Sequence, residues 1–128
     1  MADRQRLAVA ILLVSLALWA GGGGTIAGRD IAADGLFVLV VEDQSRPEAI
    51  TDAQGRVMGS LTLREATKAK GGEYRKQDAS DDLAGTGVWA EIRALVATPP
   101  AIAIAKDGRV RVEAIPDDVA TAVSWIGQ

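Results

Sequence analysis

The side chains able to do chemistry are few. The 128-residue chain contains no cysteine and no histidine. That removes disulfides, thiol redox chemistry, cysteine nucleophiles, imidazole acid–base catalysis and Cys/His zinc sites. Carboxylates, hydroxyls, lysines and arginines remain. Glu42 and Asp43 follow an apolar run, at the place where open α/β sheets put their ligands. Adjacent acids there could hold a cation, although acids on a loop are normally just solvated. Asp78, Asp81 and Asp82 share only acidity with a calcium loop, whose glycine and closing glutamate are missing. Ser45 has no imidazole to activate it and reads as a helix cap. Trp89 and Trp125 fall at helical spacing and read as core before binding platform. No nucleophile–base pair, metal set or cofactor motif is visible. The expectation is a non-catalytic protein without metal or cofactor; the alternative is an enzyme using carboxylate or lysine chemistry.

The elements that position these groups read as a small α/β unit. Residues 36–41, LFVLVV, are apolar on both faces, the signature of a central strand covered on both sides. Ser45, Arg46, Pro47 and Glu48 offer a helix start, with Ser45 as N-cap, Glu48 closing a capping box and Gly55 interrupting or ending the segment. Val57 and Met58 could belong to a helix or a short strand. Residues 61–70 read as a helix with Thr62 and Glu65 spaced as a second capping box, stopped by Gly71 and Gly72. Residues 73–76 read as a short strand. Val88, Ile92, Leu95 and Val96 recur at helical spacing, so residues 88–97 form an amphipathic helix ended by Thr98, Pro99 and Pro100. Residues 101–105 and 109–112 flank Asp107-Gly108, a strong hairpin signal, and Arg109 and Arg111 mark a solvated face of the second strand. Pro116, Asp117 and Asp118 begin a last helix whose apolar face is Val119, Val123 and Ile126. A buried first strand followed by a helical crossover implies a parallel neighbour, and the hairpin adds antiparallel strands. The result is a small mixed sheet with helices on both faces.

The length allows one domain, residues 28–128, behind an N-terminal segment, residues 1–27. Residues 7–20 are apolar except for Ser15, and Arg4 and Arg6 precede them. Such a helix is about 21 Å long at ~1.5 Å per residue; with residues 21–27 it reaches about 31 Å, enough to span a bilayer core of ~30 Å. An uncleaved membrane anchor, a cleaved signal with small residues near Ala27, and a buried soluble helix all fit the pattern. Arg4 and Arg6 belong on the cytoplasmic side, which puts the body on the exported, periplasmic or extracellular side, as a single-pass membrane protein or a cleaved secreted form. Glycines 21–24 read as a flexible linker. The formal net charge is −3, which disfavours nucleic acid as a partner.

Pro100, the apolar residues after it, Lys106-Asp107-Gly108, the second strand and the closing helix together resemble the C-terminal third of thioredoxins. Residues 36–41 resemble the strand that leads into that family's active-site loop. The resemblance runs from Gly35 to Ile126. It implies a thioredoxin-like α/β fold with a cis Pro99–Pro100 bond, and a partner-binding surface where residues 98–100 face residues 45–48. The implied partner-binding residues are Ser45, Arg46, Glu48, Thr98, Pro99 and Pro100. Glu42, Asp43 and Arg46 further resemble the small thioredoxin-like proteins of some tailed phages. Where the family carries Cys-x-x-Cys this chain has Ser45-Arg46-Pro47-Glu48, so redox activity does not carry over. The expected function is a membrane-tethered, exported, non-redox domain that binds a protein partner or forms a homo-oligomer. A structural part of a phage virion or envelope assembly is the alternative.

Overall fold

A computed structural model describes residues 29–81 and 87–127 of the chain. The N-terminal apolar segment and Asp82 lie outside the described residues. Among those described, no helix is long and apolar enough to cross a membrane.

The apolar run becomes β1 (Leu36–Glu42), in which Val38, Leu39, Val40 and Val41 are essentially fully buried. β2 (Glu73–Asp78) pairs parallel to one side of it, placing Val38 beside Tyr74 and Val41 beside Gln77. β3 (Ala101–Lys106) pairs antiparallel to the other side, and β4 (Arg109–Ala114) completes a hairpin with β3. The sheet order is β2-β1-β3-β4. The expected small mixed α/β sheet with helices on both faces is therefore present.

The pattern of β3 explains why the two faces differ. Ile102 and Ile104 join Leu36, Val38 and Val40 on one face, covered by α1 (Asp52–Met58), α2 (Leu61–Ala69) and α4 (Val119–Gly127) through Val57, Met58, Leu63, Ala122 and Ile126. Ala101, Ala103 and Ala105 join Leu39 and Val41 on the other, covered by α3 (Gly87–Ala94) through Ile92 and by Val96 and Ile31. Strand residues alternate between faces, so the small side chains all fall under the single helix and leave room for larger groups. Trp89 uses that room, meeting Phe37 edge to face with ring centroids 5.7 Å apart.

Several helix starts differ from expectation, each because a nearer partner wins. Ser45 caps no helix: its hydroxyl donates to Asp43, and only a one-turn 3-10 helix, Pro47–Ala49, follows, without a side-chain cap and without Glu48 closing a box. The capping box is formed six residues later by Thr51 and Gln54 at the start of α1. Gly55 lies inside that helix, and Val57 and Met58 end it as helix, not strand. Ser60, not Thr62, caps α2. α3 stops at Ala94, and Leu95 and Val96 close on it with turn hydrogen bonds. α4 starts after Asp118, whose carboxylate accepts the Thr121 N–H, so Pro116 precedes the helix. Arg111 does not simply face water: its guanidinium lies 4.7 Å from the Trp125 ring centre and pairs with Glu113.

The chain joins the body beside the hairpin. The N–H groups of Asp30 and Ile31 both donate to the Gly108 carbonyl, and the Asp30 carboxylate accepts the outward-facing N–H of Val110 at 2.8 Å. At the far side of the sheet, the Gly71-Gly72 turn sets β2 against β1. Gly71 has φ +77° with open space around it. Gly72 is different: a Cβ there would sit 2.7 Å from Leu36 Cγ and 2.9 Å from the Leu36 carbonyl oxygen.

Candidate functional site

Asp43, just past the buried strand β1, organises the loop that follows. One carboxylate oxygen accepts the Ser45 hydroxyl at 2.6 Å and the Ser45 N–H at 3.2 Å; the other accepts Arg46 Nε at 2.9 Å. The Ser45 hydroxyl first, and Arg46 second, hold the Asp43 carboxyl below its ordinary value. The fixed Arg46 then reaches across to the segment before β3, where its Nη2 donates to the Pro99 carbonyl at 2.9 Å, joining residues 53 positions apart. The Pro99–Pro100 bond is cis, as the thioredoxin resemblance implied.

These two segments border an open groove of about 490 Å³, lined by Arg46, Gln54, Leu95, Thr98, Pro99, Pro100, Val112 and Ala114 among others. Four of the six expected binding residues, Arg46, Thr98, Pro99 and Pro100, therefore share one surface. Ser45 and Glu48 are exposed and lie outside the lining; Ser45 contributes by holding Asp43, and through it Arg46.

Gln54, Leu95 and Val112 are among the lining residues that escaped the sequence reading. Gln54 accepts the Thr51 N–H and donates its Nε2 to the Ile115 carbonyl at 2.9 Å, pinning the start of α1 to the end of β4. Leu95 was expected on a packed helix face and Val112 opposite the wet face of its strand. Both are exposed, at 43% and 38%, and both border the groove. Leu95 is displaced because α3 ends before it, while Val112 lies on the outermost strand beyond the reach of α3's cover. The only sequence signal for either is position: Leu95 just ahead of two prolines, Val112 on the last strand of the hairpin.

A second hollow of about 220 Å³ lies under Glu42, Asp43, Gln44, Pro47, Ile50 and Met58. Beside it, Asp78 ends β2 and accepts the Gln44 N–H at 2.7 Å together with the N–H and hydroxyl of Ser80. The Ser80 hydroxyl, then the backbone N–H of Gln44, lower its pKa to about 2. Its lone pairs are committed to tying the ends of β1 and β2 together. Among the described residues no group of three or more acidic side chains is placed to hold a metal ion.

The groove's walls are largely apolar, and Arg46 spends two N–H donors of the five a guanidinium carries. The Ser45 hydroxyl beside it meets Asp43, a carboxylate of lowered pKa and so a poor base for generating a nucleophile. No protein-family model matches the chain, and no curated protein matches it.

Proposed function

We propose that this chain is a non-catalytic, thioredoxin-like protein-binding domain, exported and held at a membrane by its N-terminal segment, which takes its partner in the groove between Arg46 and residues 98–100. The observation that carries this reading is the Arg46–Pro99 hydrogen bond, which frames one face of an apolar groove with two exposed aliphatic side chains, Leu95 and Val112. The strand order β2-β1-β3-β4, with β2 parallel to β1 and β3 antiparallel to both its neighbours, supports the thioredoxin-like assignment. The absence of cysteine supports a non-redox role. The run from residue 7 to residue 27, preceded by Arg4 and Arg6, supports the tether and the outward orientation.

A photo-crosslinking amino acid placed at Val112 of the full-length protein, expressed in its native cells, tests the site. The expected result is one stoichiometric adduct from position 112 that is lost in the Leu95→Glu variant. The same probe at Leu61, exposed on α2, is the control and should give none. Equal adducts from positions 112 and 61, or no adduct from 112, remove the groove as the binding site.

A further inference from the structure

The charge of the body is unevenly placed. Residues 64–76 carry five cations, Arg64, Lys68, Lys70, Arg75 and Lys76, against two carboxylates, Glu65 and Glu73. The rest of residues 28–128 carries seven cations against fourteen carboxylates. All five cations are exposed, and among the described residues none pairs with a carboxylate, whereas Arg29, Arg46 and Arg111 all do.

The fold gathers these cations at one edge. β2 is the outermost strand on its side of the sheet. Tyr74 and Lys76 point to the face that α2 covers, where Arg64 lies 5.4 Å from the Tyr74 ring centre and Lys68 follows one helical turn later. Arg75 points to the opposite face, 5.8 Å from the Trp89 ring centre. The two arginines are thus supported from beneath by aromatic rings, with their remaining donors toward solvent. Basic residues on an edge strand guard it against pairing with other strands. That accounts for Arg75 and Lys76, but not for Arg64, Lys68 and Lys70, which are not on the strand.

We propose that this rim is a contact surface for the headgroups of anionic phospholipids. The inference rests on the membrane-tethered reading, because a tether holds the body against a bilayer surface. Lysines and arginines interleaved with tyrosine and tryptophan suit the bilayer interface, where each basic residue adds to attraction by a negative surface. Glu42, Asp78 and Asp81 close the C-terminal end of the same edge, so the contact is confined to residues 64–76. The chain joins the body at the β4 edge, three strand spacings or about 14 Å from the β2 edge.

The lysines provide the test. The chain has four: Lys68, Lys70 and Lys76 on the rim, and Lys106 at the hairpin near the opposite edge. Full-length protein is reconstituted on vesicles of phosphatidylcholine, alone or with about one-quarter phosphatidylglycerol, and acetylated briefly with an amine-reactive ester. The expected result is a fall of roughly threefold or more in rim modification relative to Lys106 on anionic vesicles only, reversed at about 0.5 M salt. The double variant Arg64→Glu, Arg75→Glu should lose that protection while keeping the wild-type circular dichroism spectrum. Should that variant misfold, the lipid and salt comparison on the wild-type protein decides alone. Equal ratios on both vesicle types overturn the proposal. So does protection by a single-stranded oligonucleotide without protection by anionic vesicles. Flotation on pure phosphatidylcholine vesicles reads the tether separately. A chain that fails to float there loses the tether, and salt-sensitive flotation on anionic vesicles then supports the rim while its absence refutes it.

Discussion

Replacing Gly72 by alanine should destabilise the domain although it adds one methyl group at a turn. An added Cβ meets Leu36 Cγ at 2.7 Å, Leu36 Cδ2 at 2.8 Å and the Leu36 carbonyl oxygen at 2.9 Å, where ordinary carbon contacts need about 3.5–4.0 Å. Leu36 is 8% exposed and packs in the three-helix core, so its side chain has little room to move aside. The oxygen is backbone and cannot rotate away at all. Overpacking of this kind costs about 1–3 kcal/mol, and the reduced freedom of the unfolded chain returns about 0.4–1 kcal/mol. A net loss of about 1.3 kcal/mol follows. With a urea m-value of about 1.3 kcal/mol/M for a domain this size, the midpoint should fall by about 1 M. Urea titration of the full-length protein in a mild detergent, followed by circular dichroism, measures it. Gly71→Ala is the companion: its φ of +77° penalises a side chain, but nothing lies within 4 Å, so the cost should stay near 1 kcal/mol. The Leu36→Ala background should shrink the Gly72→Ala penalty, because most of the clash is with that side chain. A Gly72→Ala protein within about 0.5 kcal/mol of wild type, or less damaged than Gly71→Ala, would refute the reasoning.

Capping gives a second comparison: Thr51→Ala and Ser60→Ala should each cost about 1 kcal/mol in the same titration, whereas Ser45→Ala, which caps no helix, should cost less than either. The third prediction concerns acid. The Asp78 pKa is lowered in the folded protein to about 2, so its contribution is present above the ordinary carboxylate value of 3.8 and is lost as pH falls from there toward 2. Asp78→Asn should therefore flatten the loss of stability across that window, by a small amount because the group is solvent-exposed; an unchanged pH profile, measured by thermal melts, counts against the assignment.

The parts of the fold that could be read from sequence are those whose signal is local. Residues 36–41 and 101–105 are unbroken apolar runs, and Asp107-Gly108 fits one kind of turn; Asp107 indeed adopts φ +50° and Gly108 φ +89°. β2 was harder, because Glu73, Arg75 and Lys76 are exposed on an edge strand and only the neighbouring β1 makes the segment a strand. Helix starts failed where several hydroxyls compete within a few residues. Ser45 lies two residues from Asp43, and a carboxylate at that distance outbids a helix N–H for its side chain. The bond joining Arg46 to Pro99 spans 53 residues and left no periodicity to detect, so only the family resemblance suggested that the two segments meet. The exposure of Leu95 and Val112 depends on which helix ends where, and that is decided by tertiary packing.

The carboxylate of Asp30 has a consequence for how copies of this protein can crowd together. In the two-residue hairpin the outward N–H groups of β4 alternate, at Val110, Val112 and Ala114. Asp30 already takes the first. A strand arriving from a neighbouring molecule finds two free amides in a row instead of three, and meets a carboxylate where the first should be. One acidic side chain thus makes this edge a poorer template for sheet growth between molecules packed side by side.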